Sequence, residues 1–252
     1  MFEKLAQILL KKRAKRNKIS DHYKSGFTLA EILITLGIVG VIAALSIPML
    51  ITEIDKKVAV TRLQKSLSLI NSAYRLSYND LGELPPDEAT ALGNKKYTKL
   101  YWAPHISAYR YCDTYQKCGY KSNTPFKTIS GKNPSNPLLL VHRSRATFAT
   151  VENFLFIIIN QRFALTGTAF TDSRTVVIDI NGSQNPNRYG RDVFIFLMLG
   201  GDNGIVPMGF NKTDAEIKSG CSASNHNSPV DRGYCAEWIR RNNWKIPRDY
   251  PW

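Results

Sequence analysis

Gly26-Phe27-Thr28-Leu29-Ala30-Glu31 opens an apolar run that continues to Ile51. Eight Lys and Arg residues precede it, from Lys4 to Lys24, against two acidic residues. Residues 27–51 carry a single charge, Glu31. At about 1.5 Å of rise per residue, a helix of this length crosses a bilayer. An ordinary secretory signal has a shorter apolar core followed by an A-x-A-like cut site, and no such site follows here at once. The basic flank predicts an amino terminus on the cytoplasmic side, with everything after residue 52 on the far side. A carboxylate four residues into the span costs roughly 2.5–3.5 kcal/mol to insert, so Glu31 calls for a role that offsets this. A plain single-pass anchor, with Glu31 at the headgroup level, is the simplest competing reading.

Gly26, Phe27, Thr28, Leu29 and Glu31, with the later Pro48, make this segment resemble the processing and assembly region of type IV pilins and type II secretion pseudopilins. The resemblance implies that a membrane aspartyl peptidase, the prepilin peptidase, cuts between Gly26 and Phe27. It also implies that Phe27 becomes N-methylated. Residues 1–26 are then a cytoplasmic leader that takes no part in the fold. In a filament of apolar helices the terminal amine of one subunit has no water around it, and a neighbour's Glu31 can pair with it. Removing one partner of a buried pair is costly, which makes such a pair a register device. Pro48 removes one backbone donor and is expected to kink or locally melt the helix. Gly37 and Gly40 permit close helix packing.

Beyond the span, Val60, Leu63, Leu67, Ile70, Tyr74, Ser77 and Leu81 recur three and four apart, which predicts an amphipathic continuation of the helix over 52–81. Lys56, Lys57, Arg62, Lys65 and Arg75 fall off this stripe. Gly82 and the Pro85-Pro86 pair end it. A stripe of this kind needs a cover, and a sheet folded back from downstream supplies one. Residues 82–150 are rich in Pro, Tyr, Asn and Lys and read as loops with short helix or strand. Tyr97, Tyr101, Trp102, Tyr109, Tyr111, Tyr115 and Tyr120 form an aromatic zone, read as packing of an irregular region or as a sugar- or partner-binding face. From residue 154 the pattern turns to strands, at 154–159, 163–166, 175–180, 192–199 and 205–208. Gly167, Asn181-Gly182, Gly200-Gly201 and Asn203-Gly204 separate them. Four or five antiparallel strands over the helix stripe give an α+β fold, the pilin fold that the resemblance implies. The carboxy-terminal stretch from Cys235 to Trp244 reads as a short helix or loop.

The four cysteines, Cys112, Cys118, Cys221 and Cys235, all lie in the part expected to be exported, where disulfides persist. Three connectivities exist. The local pairs Cys112–Cys118 and Cys221–Cys235 are favoured because each closes a short polar loop. A four-cysteine zinc site would need spacings unlike the usual C-x2–4-C knuckle. The last pair also resembles the disulfide-closed loop near the end of many type IV pilins. The net charge is +14, and the part from Phe27 onward keeps +8 of it. A basic exported domain can attract nucleic acid. No compact Arg/Lys cluster with interleaved aromatics follows residue 27, so a nucleic-acid partner is not expected.

Residues 179–192 join two of these strands and resemble the D-x-N-G…P-N…G-x-D loops of pseudopilin-like proteins. Asp179, Asn181, Asn187 and Asp192 offer hard oxygen ligands that suit calcium. The loop lacks the acidic density and closing glutamate of an EF-hand, and Asn and Asp are also the usual residues of tight turns. No other cofactor is expected. No G-x-S-x-G, P-loop, H-E-x-x-H or strand-associated G-x-G-x-x-G is present, and the histidines are scattered, so the chain reads as no enzyme. The expected organisation is a leader at 1–26, a membrane and assembly helix at 27–51, its amphipathic continuation at 52–81, and an exported head at 82–252. The expected function is a structural subunit of a type IV pilus or type II secretion pseudopilus. It would be anchored once in the inner membrane and later sit in an extracytoplasmic filament. Its partners would be the prepilin peptidase, other pilin or pseudopilin subunits through the amino-terminal helix, and an inner-membrane assembly platform. The alternative is a minor tip subunit whose head binds DNA, sugar or a secreted substrate.

Overall fold

The computed structural model describes residues 26–82, 92–107, 109–142, 145–159, 174–223 and 233–252. Helix α1 runs Leu29–Leu81, and the chain divides into two units between Ile51 and Thr52. The first holds the apolar stretch, whose large side chains from Phe27 to Ile51 are exposed almost throughout. The second is an α+β head.

Within the head, α1 buries Val60, Leu63, Ser66, Ile70, Ala73, Tyr74 and Ser77. This is one face of a 3.6-residue helix. It adds Ser66 and Ala73 to the expected stripe and omits Leu67 and Leu81. Leu67 is only half-buried, because the small Ser66 lies on the centre line of the contact. Leu81 is exposed, because the helix stops at Gly82, whose φ of +70° suits glycine best. Its N–H closes on Tyr78 O at 2.8 Å, an αL cap. Pro85-Pro86 lie outside the described residues.

A one-turn helix α2, Asn94–Tyr97, continues as a wider turn over Thr98–Trp102 and a tighter one over Ala103–His105. Six strands follow: β1 Tyr109–Tyr111, β2 Arg145–Thr150, β3 Leu155–Ile159, β4 Arg174–Asp179, β5 Val193–Met198 and β6 Ile205–Pro207. Two short helices close the fold, α3 Asp214–Gly220 and α4 Cys235–Arg241. The strands pair in chain order, each antiparallel to the next. The β2–β3 and β5–β6 connections are short, whereas β1 and β2 are joined by the long stretch between Tyr111 and Arg145. β1 and β2 lie in the stretch expected to be mostly loop. β2 carries Ala146, Thr147, Ala149 and Thr150 around one Phe148, too little apolar content to signal a buried strand. The expected strand at 163–166 lies outside the described residues, and β3 pairs with β2 and β4.

β3, β4 and β5 are buried along their whole length, so both faces of the sheet are covered. Phe148, Phe156, Ile158, Val176, Ile178, Phe194 and Phe196 pack with the α1 stripe. Leu155, Ile157, Val177, Ile195 and Leu197 point the other way, onto Tyr120, Phe126, Leu138 and Leu140. The Pro-rich stretch thus forms a third layer rather than a set of surface loops. Fully burying one such Leu, Ile or Phe contributes about 1.5–3 kcal/mol.

Candidate functional site

The segment 26–51 begins with a reciprocal cap. Thr28 N and Thr28 Oγ1 donate to Glu31 Oε2 at 2.8 and 2.9 Å, and Glu31 N donates to Thr28 Oγ1 at 3.2 Å. This is a capping box, with Thr at the cap and Glu three residues on, and the order Thr-Leu-Ala-Glu already signals it. Phe27, immediately before the cap, is 81% exposed. Gly26 has open space around its Cα, and so do Gly37 and Gly40, where an added Cβ would meet nothing within 4 Å. The chain stays helical through Pro48, so of the kink or local melting expected there the melting is absent. Among the described residues α1 is the one helix long and apolar enough to cross a membrane.

In the head, Cys112 and Cys118 form one disulfide (Cα–Cα 5.3 Å) and Cys221 and Cys235 the other (4.8 Å). The second ties the end of α3 to the first residue of α4. The aromatic zone splits. Tyr97, Trp102 and Tyr120 are buried, while Tyr101, Tyr109, Tyr111 and Tyr115 are half-buried. Trp102 and Tyr109 pack on Phe148, and Tyr120 packs edge-on to Phe126. These rings build the core more than they line a surface.

The β4–β5 loop brings Asp179, Asn181, Asn187 and Asp192 together. Asp179 ends β4, and its Oδ1 accepts Asn181 N at 3.1 Å while its Oδ2 accepts the Tyr120 hydroxyl at 2.6 Å. Asp192 turns its carboxylate onto the loop itself. Oδ2 accepts Asn187 N at 2.8 Å and Asn181 Nδ2 at 3.3 Å, and Oδ1 accepts Arg188 N at 2.5 Å. The Asn187 side chain points towards Asp179. Its terminal amide atom lies 3.3 Å from Asp179 Oδ2, 3.0 Å from Gly182 O and 3.1 Å from Gln184 O. Asn187 adopts φ +50°, which Asn tolerates better than most residues. Gly182 is required at its turn: its φ is +63°, and a Cβ there would come within 2.6 Å of Asn153 Oδ1.

Both carboxylates are buried, Asp179 completely, and among the described residues no cationic side chain pairs with either. Burial, and then the neighbouring Asp192, push Asp179 well above the ordinary carboxylate range. Burial likewise raises Asp192 to about 6, against the pull of its N–H donors. Neighbouring elements grip the loop from outside. Arg62 of α1 donates to Ile180 O at 2.5 Å and to Glu152 O at 2.9 Å, and lies over the Phe154 ring. Tyr250 donates to Gly190 O. The sequence named four side chains here; the main-chain oxygens of Gly182 and Gln184 carry no side-chain signal and come from the backbone alone.

A family model described as the prokaryotic N-terminal methylation motif matches residues 21–47, and one described as a family of unknown function (DUF6613) matches residues 49–252. No curated protein and no solved structure matches the chain.

Proposed function

We propose that this chain, which belongs to the family of unknown function DUF6613 and carries the prepilin-type methylation motif of pilin and pseudopilin precursors, is cut after Gly26, methylated at Phe27 and assembled into a type IV pilus or type II secretion pseudopilus. The motif, set at the start of an apolar helix with Phe27 exposed, is the observation that carries this reading. Residues 1–26 would serve as the leader, 27–51 as membrane and then assembly helix, 52–81 as the amphipathic support of the head, and 82–252 as the rest of the exported head. The prepilin peptidase, sister subunits and an inner-membrane platform would be its partners. The open space around Gly37 and Gly40 supports close approach of a second helix, since the head does not need those glycines for its own packing. The role is structural rather than catalytic.

Glu31 would change partner on assembly. In the single chain Thr28 engages it; in the filament the methylated amine of a neighbour would replace or share that contact. For the tip-subunit alternative the aromatic zone offers only the half-buried Tyr101, Tyr109, Tyr111 and Tyr115, because Tyr97, Trp102 and Tyr120 sit in the core.

Intact-mass and amino-terminal peptide analysis of the membrane fraction tests the processing step. The expected chain starts at N-methyl-Phe27; a chain that keeps Lys24-Ser25-Gly26 in cells with active peptidase would reduce the protein to an ordinary anchored domain. Glu31→Gln tests assembly separately. It keeps a cap acceptor for Thr28 but loses the charge, so cleavage should persist while incorporation into sheared filaments falls steeply. Undiminished incorporation would remove the register role of Glu31.

A further inference from the structure

A cavity of about 20 Å³ lies among the upper part of α1, the turns that follow α2, and the paired ends of β4 and β5. That is room for one water or one ion of similar size. Two polar atoms of residues on its walls, Ser77 Oγ and Trp102 Nε1, make no hydrogen bond. Their residues are only 3% and 2% exposed, and a buried donor left unmade is costly. Arg174, also buried, stands on the same walls. Its guanidinium acts on the neighbouring Tyr97 hydroxyl, which burial pushes up and Arg174 pulls back. Among the described residues no acidic side chain lines the cavity.

We propose that this cavity binds a monovalent anion of the size of chloride, held by Ser77 Oγ, Trp102 Nε1 and the charge of Arg174. An indole N–H and a guanidinium only donate. A water here would accept from two donors at most and would still have two protons of its own to place. An anion accepts from all of them and answers the positive charge. The stacked pairs Tyr74–Tyr78 and Tyr97–Tyr101 add aromatic wall, and a charge-assisted bond is stronger in such surroundings than in water. Sulfate and phosphate are too large for the volume. The site also has a place in the fold. Asn71 exchanges bonds with Ile205 N and O at 2.8 and 2.9 Å, and Tyr74 donates to Gly201 O at 3.4 Å. Ser77 is the next residue in this row of threes along α1, and the anion would give it the partner that fastens the top of the helix to the sheet.

The test follows thermal unfolding of the full chain in detergent, at constant ionic strength, with sodium gluconate exchanged for sodium chloride, bromide or sulfate. At about tenfold excess over Kd, chloride and bromide should raise the midpoint by roughly 3–6 °C and then saturate. Sulfate should do no more than gluconate. Bromide should also quench part of the tryptophan fluorescence saturably, and chloride should reverse this. Trp102→Phe, which keeps a ring against Phe148, should abolish that quenching. Ser77→Ala should weaken halide binding by about tenfold. A midpoint independent of halide in the wild type would overturn the proposal and leave the cavity to water. An equal response to sulfate would reduce the effect to screening by salt and overturn it. Quenching that survives in Trp102→Phe, or an undiminished midpoint shift in Ser77→Ala, would place the ion elsewhere and overturn it too.

Discussion

Glu237 and Asp179 are both fully buried carboxylates, and the head surrounds them differently. Glu237, on α4, faces two guanidinium groups: Arg240 Nε and Nη2 at 2.6 and 2.7 Å, and Arg241 Nε at 2.7 Å. Helical spacing supplies both cations, three and four residues on, where side chains share a face. Asp179 ends a strand that runs into a turn of Asn, Gly and Pro. Its partners are a hydroxyl and N–H groups, and its nearest charge is another carboxylate. A helix can neutralise its own acid; in the loop Arg191 lies over the Trp252 ring and the Arg188 guanidinium lies beside Gly131, so neither is paired with Asp179. What Asp179 has instead is a backbone N–H of the turn and the Tyr120 hydroxyl.

That contrast can be broken from either side. The largest effect should come from Arg240→Ala with Arg241→Ala, which leaves Glu237 buried and unpaired. Loss of about 3–5 kcal/mol is expected in chemical denaturation, and a loss under about 1 kcal/mol would mean Glu237 reaches water. Opening the Cys221–Cys235 bridge, which anchors the first residue of that same helix, should cost about 3 kcal/mol for a loop of this length. The check is the shift of the denaturation midpoint of Cys221→Ser with Cys235→Ser. Asp179→Asn should go the other way, neutral or stabilising by roughly 1 kcal/mol, because it removes a buried carboxylate that no cation among the described residues answers. Clear destabilisation would show that the carboxylate is already compensated.

The smallest effect concerns the exposed cap of α3. Thr213 N and Oγ1 donate to Glu216 Oε2 at 2.8 and 2.9 Å, and these bonds hold Glu216 below its ordinary value of 4.5. A lowered carboxyl stabilises the fold above its unfolded value and loses that contribution as pH falls through the folded one. Amide protection in Asp214–Gly220, corrected for the intrinsic exchange rate, should therefore fall slightly below about pH 4 in the wild type. Thr213→Ala should remove this pH dependence and raise exchange at every pH.

The legible parts of the sequence were those with one dominant period. The α1 stripe follows from threes and fours, and 175–180 and 192–199 differ from β4 and β5 by one residue at each end, because Val, Ile and Phe dominate them. β2 escaped because Thr147 is buried through a hydroxyl bond to Leu140 O, so its polarity misled. α3 escaped although Thr213-Asp214-Ala215-Glu216 announces it, since seven residues leave too little periodicity to weigh. At the β4–β5 loop the four named side chains do meet. Asp192 spends its bonds on the loop backbone and on the Asn181 amide, and the backbone N–H groups that fold the turn are invisible to any reading of residue types.

The Thr28–Glu31 cap has a consequence for life in the lipid before any filament exists. A stray carboxylate in a bilayer would seek donors on whatever helix drifted past, and unassembled subunits would gather into mixed clusters. If the chain assembles as proposed, Thr28 answers Glu31 within the same turn, so a passing helix has little to offer and unassembled subunits would stay dispersed until a better donor arrives. On the assembly reading that donor is the amine created by cleavage, so the cut both frees the subunit from its leader and makes the group that its neighbours recognise. Thr28→Val strips the side-chain bond, and in-membrane cross-linking from position 31 should then trap unrelated proteins that the natural residue lets pass.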